Sequence, residues 1–405
     1  MIFSSPNDSV SQLISGNAAL IRRLNRSSVL DLLRQESPLS PTEISARLNL
    51  SMPTVMRILD ELAYHSLVLR LEEQQYSGGR PRSLVSFNGT AHAVIGLDLG
   101  GTKMYGTVAD LCGTIQAEIY RTSVPSNPEE NLNLTVEMIE ELLQVPRREG
   151  QQVLGIGVGA PGVTLFEDGV VTWAPSLGWR DLPLRQILAQ RFGLEVVVEN
   201  DVNLAALGEY GFGVARGAAS LVCLAVGTGI GSGIVIERKI YRGYHQSAGE
   251  VGYLLPSKEA LGKRYEHFGA LESLASGSGV VQRAAELIRS RNLPVEVDAL
   301  TAEKIFDWAR NGEAWAQTIV DETVDYLALV IAAISVVLDP EVIVLGGGVS
   351  RSADILVEPI LNRLQGCLPA PVRLVVSNLG YRAAAMGAIM LVLDTSFEHV
   401  TLRSS

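Results

Sequence analysis

Three cysteines among 405 residues are too few, and too scattered, to frame a fold. Cys112, Cys223 and Cys367 show no paired spacing, so there is no disulfide scaffold, and a reducing, cytoplasmic setting is expected. An export signal is not expected either: the opening MIFSSPNDSVSQLISGNAAL has neither a basic start nor an unbroken apolar stretch. The longest apolar run, YLALVIAAISVVL at 326–338, falls short of the ~20 residues that span a bilayer. It follows Asp321, Glu322 and Asp325 and reads as a buried helix, with no membrane partner. Positive charge is scarce as well. The net charge of −11 argues against indiscriminate nucleic-acid binding. That deficit is uneven, because residues 1–89 hold nine arginines and eight acids, a net of +1 against −12 for the remainder. Apolar residues are plentiful at 47%, enough for two or three domains with cores of their own.

The first ninety residues are patterned as helices and a hairpin. In AALIRRLNRSSVLDLLRQ, Leu20, Ile21, Leu24, Val29, Leu32 and Leu33 recur at three- and four-residue spacing. Ser40, Pro41 and Glu43 supply a cap, a first-turn proline and a capping-box acid for a second helix that buries Ile44 and Leu48. Asn49 suits a left-handed exit, and Ser51 can cap a third helix running to residue 65. Two helices joined by so short a turn make a helix-turn-helix, whose reading helix presents Ser51, Met52, Thr54 and Arg57; a protein-docking helical module has the same periodicity. LVLRL and SLVSF flank EEQQYSGGRPR as strand, turn and strand, a wing whose tip carries Arg80 and Arg82 toward phosphates or a minor groove. An ordinary surface turn with incidental arginines is the plainer alternative.

Beyond residue 89 the sequence echoes itself. VIGLDLGGTKMYGTVAD (94–110) and VCLAVGTGIGSGIVIE (222–237) both read as strand, glycine turn, strand, the mark of a duplicated domain with a cleft between its lobes. Glycine turns let backbone N–H groups approach an anion, which makes Gly100, Gly101, Gly227 and Gly229, with Thr228, candidate phosphate contacts. Asp98 suits the orienting of Mg²⁺ through water, with Thr102 and Lys103 nearby, and Gly346, Gly347 and Gly348 end a strand where a nucleoside could lie. Mg-ATP is therefore a candidate ligand. A dinucleotide reading of Gly157, Gly159 and Gly162 fails, because that fingerprint needs a helix next and Pro161 leads into a strand-like run. VVVENDVNLAALGE places Asn200 and Asp201 at a strand end and a helix mouth, where Asp201 could take a proton from a substrate hydroxyl or simply cap the helix.

DLGGTK, GAPG, END-x-N, VGTGIGSG, AGEVG and LGGGV follow one another behind a segment carrying GGRPRS. As an ordered set they resemble the ROK family of sugar kinases and sugar-responsive repressors over essentially the whole chain. The resemblance implies an α/β architecture: a winged helix-turn-helix at 1–88, then a two-lobed actin-like fold of the hexokinase and ribonuclease H type. Its lobes would be 89–200 and 201–382, with a helix at 383–395 returning to the first. It also implies a monosaccharide meeting Asn200, Asp201, Glu250 and Glu272, with Asp201 as base in a kinase. Family members commonly hold zinc through a histidine and three cysteines; here Tyr253, Lys263, Tyr265 and Ala270 stand at those positions, so zinc is not expected. We expect Leu254, Leu255, Leu261, Tyr265 and Phe268 to pack that loop instead, Tyr253 to offer a hydroxyl to the sugar, and His267 to lie on the surface. The leading function is a regulator that binds operator DNA as a homodimer, or a tetramer of paired dimers, and responds to a sugar; an ATP-dependent sugar kinase is the alternative.

Overall fold

Ser40 and Glu43 exchange hydrogen bonds, the Glu43 carboxylate accepting the Ser40 N–H at 2.8 Å and Ser40 Oγ accepting the Glu43 N–H at 3.3 Å. This capping box starts α2 (Pro41–Leu48), which follows α1 (residues 24–36). Asn49 leaves α2 at φ 51°, and Ser51 caps α3 (Met52–Tyr64) by accepting the Thr54 N–H, both as the sequence implied. Val55, Ile58, Leu59 and Leu62 of α3 pack inward, leaving Met52, Met56 and Arg57 in solvent. Strands β1 (Val68–Glu72) and β2 (Ser83–Phe87) pair antiparallel, and Leu39 bridges to Val85, completing a winged helix. The structure, a computed structural model, describes residues 21–22, 24–72, 83–265 and 269–399, with side chains as far as 395. Arg80, Arg82, His267 and Phe268 lie outside the described residues.

Two sheets of like topology follow. In the first, β3 (His92–Leu99), β4 (Lys103–Asp110) and β5 (Ile115–Thr122) form an antiparallel meander beside which β6 (Gln152–Ala160) and β10 (Glu195–Asn200) run parallel. Between β6 and β10 come the small sheet of β7 (Val163–Leu165), β8 (Val170–Ala174) and β9 (Trp179–Leu182) and the helix α6 (Leu184–Phe192). Helices α4 (Pro128–Leu142) and α5 (Gln144–Glu149) join β5 to β6. Because β6 runs straight into β7, GIGVGAPGV carries no helix and no dinucleotide fingerprint. The second sheet repeats the scheme: β11 (Ser220–Val226), β12 (Ile230–Ile236) and β13 (Lys239–Ile240) meander, then β14 (Val342–Gly346) and β15 (Leu374–Val376) run parallel. The echo read in the sequence is thus a repeated sheet.

Helix α7 (Asp201–Gly211) links the lobes and is crossed by α13 (Ala383–His399), which lies back across β3 and β6 of the first lobe. The crossing is bare backbone on backbone: a Cβ at Gly387 would sit 1.8 Å from the Leu204 carbonyl oxygen, and one at Gly208 2.1 Å from that of Ala383. Covering the second sheet are α8 (Glu272–Ala275), α9 (Gly277–Ser290), α10 (Ala302–Arg310), α11 (Ala314–Leu338) and α12 (Ala353–Leu364). The apolar run at 326–338 belongs to α11, largely buried, though Leu329, Val336 and Val337 near its end face outward. No helix among the described residues is long and apolar enough to cross a membrane.

The loop after Tyr253 does not pack as expected. Leu254, Leu255, Leu261 and Tyr265 are exposed, Leu261 by 66%, while Ala260 and Ala270 turn inward. Among its described residues one 3₁₀ turn, Lys258–Ala260, interrupts this segment, which is too short to fold its large side chains back against a core of its own. Head and body, by contrast, share one core: Val29, Leu33, Val55 and Leu62 of the head belong to the same apolar cluster as Val94, Leu111, Leu207 and Met390. Asn88 Nδ2 donates to the Ser66 carbonyl at 2.8 Å, and the His92 ring contacts the His65 carbonyl at 3.0 Å, tightening the joint.

Candidate functional site

Asn200 ends β10 and caps α7. Its Oδ1 accepts the N–H groups of Val202 and Asn203 at 2.9 and 3.0 Å, and its Nδ2 donates to the Gly162 carbonyl at 3.0 Å and to Asp201 Oδ1 at 3.1 Å. The cap is therefore Asn200. Asp201 Oδ1 also accepts the Val202 N–H, while its other oxygen accepts nothing among the described residues and remains available to a ligand hydroxyl. α7 backs onto the second lobe so closely that a Cβ at Gly233 of β12 would lie 2.4 Å from the Val202 carbonyl oxygen. This fixes Asp201 between the lobes.

Three further acids meet it there. Strand pairing sets Asp98 opposite Gly159, and a Cβ on Gly159 would be 3.4 Å from the Asp201 Cα, so the two aspartates are neighbours. Burial, with the Asp201 charge adding to it, raises the Asp98 pKa to about 8; at neutral pH Asp98 carries a proton and can donate. Asp201 is raised by burial and by Glu250 to about 6, held from rising further by the Val202 N–H, and so is mostly ionised at pH 7. From the second lobe, Glu272 Oε2 accepts the Ile230 N–H at 3.2 Å and abuts Gly229 and Gly252. Burial raises Glu250, with Glu272 as a second cause, and burial raises Glu272. Such a file of acids, part protonated and part ionised, suits a ligand bearing several hydroxyls, each of which donates and accepts. Tyr253, next to Gly252, stands 68% exposed. No group of three or more metal-ligating side chains comes together among the described residues.

A second recess, of about 510 Å³, opens in the second lobe between Gly227, Thr228, Gly348 and the start of α9. It unites three of the glycine-rich candidates, and nothing lies within 4 Å of where a Cβ on Gly348 would be, so a flat ring system fits against bare backbone. Gly346 and Gly347 form the turn behind it, Gly347 at φ 78°. In the first lobe Asp98 lies near the end of β3, Gly100, Gly101 and Thr102 form the β3–β4 turn, and Lys103 opens β4 in solvent. Sequence reasoning missed ASGSG at 275–279, a glycine and serine cluster ahead of a helical run, which lines this recess through Gly277 and Ser278. It also missed what lies behind Asn200. Glu199, almost wholly buried, accepts the Asn203 Nδ2 at 3.0 Å and the Arg242 Nε at 2.6 Å. The Arg242 guanidinium stacks 3.9 Å from the centre of the Phe166 ring. In the sequence Glu199 stands out only as the first letter of END, and nothing marks Arg242.

In the head, Ser51, Met52 and Arg57 are exposed at the start of α3, while Thr54 is half-buried with its Oγ1 2.8 Å from Ser51 Oγ. Met56, unread in the sequence, shares the exposed face.

Residues 94–395 match the ROK family and residues 27–72 the IclR helix-turn-helix domain. The chain belongs to the ROK family. Among ROK relatives, the xylose repressor of Caldicellulosiruptor bescii is 29% identical over 389 residues, covering 94% of this chain and 98% of that protein. A glucokinase of Streptomyces coelicolor is 31% identical over 314 residues, covering 74% and 97%. Of solved ROK structures, a transcriptional regulator described as a homolog of the E. coli MLC protein superposes with a TM-score of 0.83 at 24% identity, covering 95% of this chain and 98% of that one. The glucokinase of Streptomyces griseus, in complex with glucose and AMPPNP, gives 0.64 at 30% identity, covering 74% and 98%.

Proposed function

We propose that this ROK protein is a sugar-responsive transcriptional repressor of carbohydrate metabolism, acting in the cytoplasm as a homodimer. A monosaccharide sits between Asn200, Asp201, Glu250 and Glu272, and α3 with the wing reads operator DNA. The observation that carries this reading is the single apolar cluster joining the winged helix to the first lobe, which makes the DNA reader a fixed part of the body that holds the cleft. The named relatives support it: the xylose repressor relative spans head and body, whereas the glucokinases leave a stretch of about the head's length unmatched. Two-fold pairing suits a helix-turn-helix, whose half-sites repeat with DNA's helical period. Fluorescence anisotropy on a duplex selected from a randomised pool, titrated with a panel of monosaccharides, tests the reading. One sugar should weaken binding; a panel without effect on DNA affinity would remove it.

The recess at Gly227, Thr228 and Gly348 favours a second reading, in which the protein phosphorylates its sugar. Those residues would hold the nucleoside, with Gly100, Gly101, Thr102 and Lys103 facing its phosphates and Asp98 facing Mg²⁺, whose charge would strip the proton that Asp98 carries without it; Asp201, ionised at neutral pH, would take the sugar hydroxyl's proton. Sugar-dependent ADP release from the unmodified protein, absent in Asp201→Ala, would support it, and equal traces would exclude catalysis through this base.

A further inference from the structure

The hairpin between β12 and β13 turns on two residues. Ile236 pairs with Lys239, so Glu237 and Arg238 form the whole turn, at φ 49° and 67°. Successive left-handed residues are the signature of a type I′ turn, which favours Asn-Gly; side chains bearing a Cβ are disfavoured there. Strain of this kind persists where the surrounding structure holds it and a side chain is needed at that spot.

The Arg238 side chain reaches the head. Its Nη2 donates to Asp31 Oδ2 of α1 at 2.8 Å, and the charges of Asp394 on α13 and the hydroxyl of Tyr210 on α7 also face it. Around this contact lies a cavity of about 510 Å³ lined by α1, the end of α3, the hairpin and α13, with Leu30, Leu62 and Leu391 among its walls. The two lobes hold the head unequally. Toward the first lobe it shares a continuous apolar core; from the second, Ile240 of β13 packs against the margin of that core and Arg238 adds an ionic contact beside a cavity. Movement of the second lobe relative to the first therefore has to register at Arg238, and the void leaves room for α1 to follow. Four residues on, Arg242 holds the same segment to Glu199 directly behind Asn200, which ties the hairpin's base to the wall of the cleft.

We infer that Arg238 is a positioning residue that reports the state of the sugar cleft to the DNA-reading head, through Asp31. The inference rests on the regulator reading above and adds its route. Packed cores are bistable rather than soft, so a lobe movement is passed on at a discrete contact of this kind.

Hydrogen exchange and DNA anisotropy together separate the route from the reading. The unmodified protein is compared with Arg238→Gln, Asp31→Asn and Arg238→Lys, using whichever sugar of the monosaccharide panel, D-xylose and D-glucose included, most raises the melting midpoint. Sugar should protect the start of α7 and residues 249–253 in all four proteins, with equal midpoint shifts. In the unmodified protein and Arg238→Lys it should also alter exchange in α1 and weaken DNA binding about tenfold, within the usual span of coupling between sites. Arg238→Gln and Asp31→Asn should lose the α1 change, and the DNA effect should shrink to within twofold. Full α1 and DNA responses in both neutral variants would overturn the route while leaving the regulator reading intact. Should no sugar of that panel protect the cleft of the unmodified protein, the regulator reading falls and takes the route with it.

Discussion

At the scale of single residues, the acids of the cleft set both ligand preference and stability. Asp98 ionises near pH 3.8 when unfolded and near 8 in the fold. Below about pH 4 both states are protonated and nothing is lost. As the pH rises from 4 to 8 the unfolded chain gives up its proton first, so the fold loses stability through this range and no more above it. One unit is about 1.4 kcal/mol, which sets a ceiling of roughly 5–6 kcal/mol, and residual solvent contact lowers this considerably. Asp98→Asn should raise the sugar-free melting midpoint at pH 8.5, by the equivalent of about 2 kcal/mol, and leave it unchanged at pH 4. Parallel midpoint curves for the two proteins across pH 4–9 would sink the assignment. The pairing of Asn200 and Asp201 was visible in ENDVN; their division of labour was not, because either residue type can cap a helix and only the fold decides which oxygen turns inward.

Elements were the most legible part of the sequence, for local reasons. The capping box at Ser40, the left-handed Asn49 and the Ser51 cap each depend on a few neighbouring residues, and all three stand where the pattern put them. The repeated glycine hairpins likewise gave the two sheets. Less legible were features that depend on distant partners. Gly387 and Gly208 sit inside helices, where glycine costs about 1 kcal/mol against alanine, and their purpose appears only when α7 and α13 cross. Gly387→Ala should therefore destabilise despite its better helix propensity. Pressing a methyl group to 1.8 Å from a carbonyl forces the helices apart, by at least about 2 kcal/mol in urea unfolding. An unchanged midpoint would mean that the crossing is looser than described. The segment after Tyr253 misled for the converse reason: apolar composition suggested packing, but among the described residues its leucines stay exposed. With lysine, tyrosine and alanine in place of thiolates, dialysis against EDTA should leave the melting midpoint unchanged; a drop would reveal a metal held by other residues.

For the whole molecule, a body of strongly negative charge carries a head near neutrality, so attraction to DNA must come from a small exposed face. Affinity should fall steeply with salt, and Arg57→Ala should weaken binding about tenfold or more and flatten the salt dependence by roughly one phosphate contact. Arg57→Ala with an unaltered slope would point to a base contact, and unaltered affinity to a docking role for the head.

The shared apolar cluster also bears on how such proteins could be assembled from parts. A reader domain whose underside is the ceiling of another domain's interior cannot be exchanged like a detachable tool: grafting a foreign head here would leave Leu111 and Met390 facing water or a mismatched surface. New promoter choice is then reached more readily by altering the outward face of α3, at Met52, Met56 and Arg57, than by trading the module whole.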